Sequence, residues 1–111
     1  MARINFLELP VEDTDRAKAF YGAAFGLDFA DFGPTYACTM TGETDLGFQA
    51  DAREKTRQPL PVILVDDLAA AEAAVTGAGG TITLQPFSFP GGRRFHFRDL
   101  DGHELAAMQT D

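Results

Sequence analysis

Apolar side chains at Ala17, Phe20, Tyr21, Ala24 and Phe25 fall three and four residues apart within LPVEDTDRAKAFYGAAFG, residues 9–26. That spacing is one stripe of an amphipathic helix. Asp13 or Thr14 can accept the free N–H groups at its start, Asp15 suits the positive end of its dipole, and Gly26 is placed to end it. The pattern returns in LVDDLAAAEAAVTGAGG, residues 64–80. Val11 matches Val65, Asp13 matches Asp67, Ala17 matches Ala71, Ala19 matches Ala73 and Gly26 matches Gly80. Leu68, Ala71, Val75 and Ala78 form the second stripe, capped by Asp66 or Asp67.

Between the helices the apolar pattern shortens to strand-like runs. Residues 3–10, LDFADF, TYACTM and DLGFQA read as strands in the first half, and LPVILV, TITLQPF, RRFHFRD and HELAAMQ in the second. Gly33-Pro34, Gly42, Pro90-Gly91-Gly92 and Asp101-Gly102 supply the turns. Each half is therefore βαβββ. The expected organisation is one domain over 1–111, with a first module at 1–52, a linker at 53–59 and a second module at 60–111. A module of that size buries little surface alone, so the two are expected to pair.

Charge narrows the partners. Seventeen acids against nine bases give a net charge of −8, so phosphate backbones are repelled and nucleic acid is not an expected partner. The acidic surface suits cationic ligands or simple solubility. No apolar run approaches the length of a membrane span, and Met-Ala-Arg-Ile-Asn lacks the apolar segment of a signal peptide. A single cysteine, Cys38, makes an internal disulfide impossible and points to a reducing cytoplasm.

The V-x-D-x-x-R-A-x-x-F-Y segment from Val11 to Tyr21, VDDLAAAEAAVTGAGG and RDLDGHEL together resemble the vicinal oxygen chelate superfamily. That superfamily holds glyoxalase I, fosfomycin-resistance enzymes, extradiol dioxygenases and bleomycin-resistance proteins, and the chain is most similar to its small glyoxalase-related members. The resemblance implies an α+β fold of two tandem βαβββ modules whose curled mixed sheets enclose a cavity. It also implies a homodimer and a small-molecule ligand. In metal-dependent members, one residue from the first and last strand of each module holds a divalent ion. Those positions correspond here to Phe6, Gly47, Leu60 and Ala106, none of which carries a side-chain donor. No cofactor is therefore expected, and the usual metal chemistry does not carry over.

Strand alternation fills the implied cavity with other residues. Phe6 and Glu8 share a face of the first strand, leaving Leu7 and Leu9 for the helix. Gly47 and Gln49 share a face with Asp45; Leu60 and Val62 with Leu64; Glu104 and Ala106 with Met108. His96 joins them if Phe95 and Phe97 pack under the second helix. The candidate ligand-binding set is Phe6, Glu8, Gly47, Gln49, Leu60, Val62, His96, Glu104, Ala106 and Met108.

Within that set Glu8 and His96 are the candidate catalytic residues. His96 is an acid–base residue tunable near neutral pH, or a half-exposed strand histidine. Glu8 binds a cationic or hydroxyl-bearing ligand or acts as a base; alternatively it sits at a sheet rim or pairs with an arginine such as Arg94. A replacement metal site from Glu8, His96 and Glu104 has no spacing rule behind it. Cys38 reads as a small buried hydrophobe rather than a nucleophile, with Tyr36 and Met40 on its face. His103 reads as a surface residue. Gly91-Gly92 is a turn and not a phosphate loop.

Three functions follow: a metal-free protein that binds or sequesters a cationic or aromatic small molecule, a lyase or isomerase using Glu8 or His96 as base, or a structural dimer with a vestigial cavity.

Overall fold

A computed structural model describes residues 2–111, and in it the repeated pattern becomes two repeated structures. The first is β1 (Arg3–Pro10), α1 (Thr14–Phe25), β2 (Ala30–Asp31), β3 (Tyr36–Cys38) and β4 (Asp45–Gln49). The second is β5 (Leu60–Leu64), α2 (Leu68–Gly77), β6 (Thr81–Phe89), β7 (Gly92–Arg98) and β8 (Glu104–Thr110). The fold class is α+β. Contacts group Phe6–Leu60 into one compact unit, and Pro61–Asp111 with the β1 residues up to Asn5 into another.

In the first unit the strand order is β2-β3-β4-β1, with β1 parallel to β4 and the other pairs antiparallel. Register pairs Glu8 with Gly47 and Cys38 with Gly47, which puts all three on one face. Phe48 occupies the opposite face, fully buried, with Tyr21 stacked on it at 5.5 Å and Phe29 tilted against it at 4.9 Å between ring centroids. Asp13 caps α1 by accepting the Asp15 N–H at 2.8 Å, and Gly26 ends it in the left-handed conformation at φ 70°. Two members of the predicted stripe leave the core: Phe20 and Phe25 are 60% and 71% exposed. Tyr21 alone of the three rings turns onto the sheet.

The second unit orders its strands β5-β8-β7-β6, again with its first and last strands parallel. Leu68, Phe95 and Ala107 form its core, with Val65, Ala71, Val75, Ile82 and Phe97 packed around them. Asp67 caps α2 by accepting from the Ala70 N–H, while Gln109 reaches back from β8 to take the Leu68 N–H at 2.7 Å. The helix stops earlier than the repeat implies. Ala78 is the cap, and Gly79 rather than Gly80 takes the positive φ.

Strand lengths also depart from the pattern. LDFADF yields only Ala30–Asp31, because Phe29 turns inward onto Phe48 and β2 ends the sheet order. TITLQPF extends through Phe89, with register shifts between Ile82 and Leu84 and between Leu84 and Phe87. Pro86 has no N–H for the ladder, which an edge strand tolerates. No helix among the described residues is long and apolar enough to cross a membrane.

Candidate functional site

Each unit carries a helix on one face of its sheet, and the candidate residues lie on the other. In the first unit Glu8 is 1% exposed, and its Oε1 accepts a hydrogen bond from the Tyr36 hydroxyl at 2.9 Å. Phe6 stands one alternation along β1, and its ring lies against Gly47. Gln49 is buried on the same face, but its Oε1 accepts the Asp51 N–H at 3.0 Å. That carbonyl therefore fixes the turn leaving β4.

Asp45 is held at the far end of this face by the hydroxyls of Thr39 and Thr41, both at 2.7 Å, and by the N–H groups of Thr41 and Gly42. Partial burial works to raise its pKa, but these hydrogen bonds outweigh burial and hold the carboxyl below its ordinary range. Cys38 Sγ points at Met40 Sδ across 3.8 Å. Burial, reinforced by the charge of Asp45, pushes its thiol pKa up, which disfavours the nucleophilic thiolate.

In the second unit His96 is 3% exposed, and its Nδ1 lies 3.1 Å from Glu104 Oε2. The Thr83 hydroxyl donates to the same oxygen at 3.3 Å. An ionised carboxylate only accepts, so its pairing with a neutral imidazole uses the tautomer protonated at Nδ1. Val62, Ala106 and Met108 share the face of His96 through the β5–β8 and β7–β8 registers, with Val62 and Ala106 fully buried. Met108 Sδ takes a hydrogen bond from Asn5 Nδ2 at 3.5 Å. Leu60, also fully buried, alternates with Val62 along β5.

Sequence reasoning did not select Thr83 or Phe87 beside these groups, and named Arg94 only as a possible partner of Glu8. Thr83 completes the contact with Glu104. Phe87 lies 6.0 Å from the His96 ring, and the Arg94 guanidinium sits over Phe87 and Phe89 at 5.4 Å and 5.8 Å. The alternation of Arg94 with His96 along β7 was the available signal. Tyr36 had been placed on the Cys38 face, but no residue count could aim its hydroxyl at Glu8. His103 is exposed, and its backbone N–H donates to Asp99 in the turn before β8.

A family model for the Glyoxalase/Bleomycin resistance protein/Dioxygenase superfamily matches residues 3–107. The chain belongs to this superfamily. Among solved structures, a superfamily member from Vibrio splendidus 12B01 superimposes with TM-score 0.72 at 15% identity, covering all of both chains. Methylmalonyl-CoA epimerase from Mycobacterium tuberculosis gives TM-score 0.76 at 15% identity, over 97% of this chain and 87% of that one. The Mn(II)-bound glyoxalase from Novosphingobium aromaticivorans gives 0.71 at 20%, over 98% of this chain and 40% of its own. At such identities the likeness is one of fold. No curated protein matches the chain in sequence.

The divalent ion of the superfamily's metal-dependent members does not fit the residues present. The four positions that the family resemblance assigns to its ligands carry a phenyl ring at Phe6, no side chain at Gly47, and aliphatic groups at Leu60 and Ala106. Among the described residues no three His, Cys, Asp or Glu side chains gather as a metal-holding group.

Proposed function

We propose that this superfamily member binds a small organic molecule through the helix-free faces of its modules, without a divalent ion at Phe6, Gly47, Leu60 and Ala106. The observation that carries the reading is Glu8, a carboxylate 1% exposed and held by the Tyr36 hydroxyl. Withdrawing such a group from water costs several kcal/mol that an apolar residue would not. Its position beside the Phe6 ring favours a ligand with a cationic or hydrogen-donating group on an apolar body. Bleomycin-resistance-like sequestration is the functional class. The proposal extends to a homodimer in a reducing cytoplasm, supported by the family resemblance and the lone Cys38; light scattering after size exclusion tests the dimer.

The deciding experiment joins elemental analysis to a ligand screen. Protein is analysed as purified and after incubation with Ni²⁺, Zn²⁺, Mn²⁺ and Fe²⁺, then screened by thermal shift against organic cations and aromatics. The expected result is no stoichiometric metal, with saturable ligand binding that Glu8→Gln weakens. One tightly held metal per chain overturns the reading.

One observation favours a second reading, a lyase or isomerase acting beside a carbonyl. Nδ1 of His96 lies 3.1 Å from Glu104 Oε2, and a neutral imidazole that donates there carries its lone pair on Nε2, as a general base requires. Glu8 is the other candidate base. Turnover in epimerase or glyoxalase assays, abolished by His96→Ala or Glu8→Gln, would favour this reading over simple binding.

A further inference from the structure

Gly47 is glycine for want of space. It is absent from the glycines with positive φ among the described residues, so its backbone conformation is open to any amino acid. A Cβ built on it would lie 2.7 Å from Phe6 Cε2, closer still to Phe6 Cζ, and 3.1 Å from the Tyr36 hydroxyl oxygen. The phenyl ring occupies the volume that any side chain at position 47 needs. Phe6 and Gly47 are also the two first-module positions that the family resemblance assigns to the ligands of metal-dependent members. The first module's position is therefore filled by a ring.

We infer that Phe6 and Gly47 form a coupled pair that sets the specificity of the first module's helix-free face. Glycine lets the ring lie down, and the ring makes an aromatic wall one alternation from the Glu8 carboxylate. Such a wall beside an acid suits an organic cation carrying an apolar body and excludes a chelated divalent ion. The ligand class rests on the binding reading above; the steric pairing stands apart from it.

The test has two arms. Thermal unfolding of wild type, Gly47→Ala, Phe6→Ala and the double variant measures the coupling. Gly47→Ala should lower the midpoint by about 5–10 °C, since the added methyl forces the ring aside. In the Phe6→Ala background the same change should move it by less than about 2 °C. A double variant that folds where Gly47→Ala alone does not is the same result in stronger form. Equal shifts in both backgrounds overturn the pair. Phe6→Leu, which keeps bulk but lacks the ring tip, replaces Phe6→Ala if that variant is too unstable.

The second arm titrates benzyltrimethylammonium into wild type and Phe6→Leu by calorimetry. Binding about tenfold weaker in the variant supports the wall. Equal affinity in the two overturns the wall. No binding to wild type overturns the assigned ligand class and leaves the unfolding cycle to judge the steric pair.

Discussion

Tyr36 reaches over β4 to donate a hydrogen bond from its hydroxyl to Glu8 Oε1 at 2.9 Å, joining β3 to β1 with Gly47 on the strand between them. The crossing exists because Gly47 has no side chain; a Cβ there would sit 3.1 Å from the phenolic oxygen. A hydrogen bond to a buried carboxylate is stronger than one between neutral groups.

Tyr36→Phe removes that donor and keeps the ring. It should lower stability by about 1–3 kcal/mol, read as an earlier urea midpoint with an unchanged slope. Glu8→Gln in the Tyr36→Phe background should then add less than it does in wild type, because the two side chains share one interaction. Additive losses would mean that the hydroxyl and the carboxylate act separately.

His96 and Glu104 invite a spectroscopic check. Long-range ¹⁵N–¹H correlation of the imidazole should show a protonated Nδ1 in wild type, because Glu104 accepts from it. Glu104→Ala should shift the population toward the Nε2–H form, while Thr83→Val should leave the tautomer in place and loosen only the carboxylate. An unchanged Nδ1–H signal in Glu104→Ala would assign the tautomer to some other contact.

The helices and both faces of β1, β4, β7 and β8 were legible in the sequence because alternation and helical spacing are local. Phe95 and Phe97 do lie on the α2 side, so His96 lies on the other, and Glu8 and Gly47 share a face as alternation implies. Side-chain aim was not legible. Gln49 was placed on the correct face, yet its carbonyl turns to Asp51; Phe20 and Phe25 fit the helical stripe, yet only Tyr21 finds a partner ring on the sheet, in Phe48. Both outcomes depend on groups brought near by tertiary packing, which periodicity does not encode. The pairing of Tyr36 with Glu8 is of the same kind, spanning 28 residues of chain.

Asp45 ties acid stability to one turn. Its folded pKa lies below the ordinary 3.8, the hydrogen bonds from Thr39, Thr41 and Gly42 overcoming the opposing effect of burial. As pH falls, the unfolded chain takes up this proton first. The stabilisation is therefore complete above the unfolded value and is lost as pH drops through the folded one. Urea midpoints measured from about pH 6 down to about pH 2 should fall less steeply in Asp45→Asn than in wild type. At neutral pH the same variant should lose about 1–2 kcal/mol, since the amide is a weaker acceptor in a partly solvated site. An acid limb identical to wild type would place the titrating group elsewhere.

Phe48 and Phe95 hold corresponding places beneath the two helices, each fully buried on the face opposite the candidate residues. Phe48 anchors β4, and so the backbone of Gly47; Phe95 anchors β7, and so His96. Truncating either to alanine removes a ring from a packed core and should cost about 3–5 kcal/mol. That is a large part of the roughly 5–15 kcal/mol available to a domain of this kind. Phe48→Leu and Phe95→Leu should fold with smaller losses, allowing the site to be probed without unfolding the protein. If Glu8 and Tyr36 depend on β4 for their alignment, Phe48→Leu should weaken ligand binding while the tautomer of His96 stays as in wild type. Phe95→Leu should disturb the His96 tautomer and leave the Tyr36–Glu8 coupling intact. Calorimetry, imidazole ¹⁵N shifts and the Tyr36–Glu8 mutant cycle on both variants distinguish these outcomes, and identical effects from the two substitutions would show that neither ring acts through its own strand.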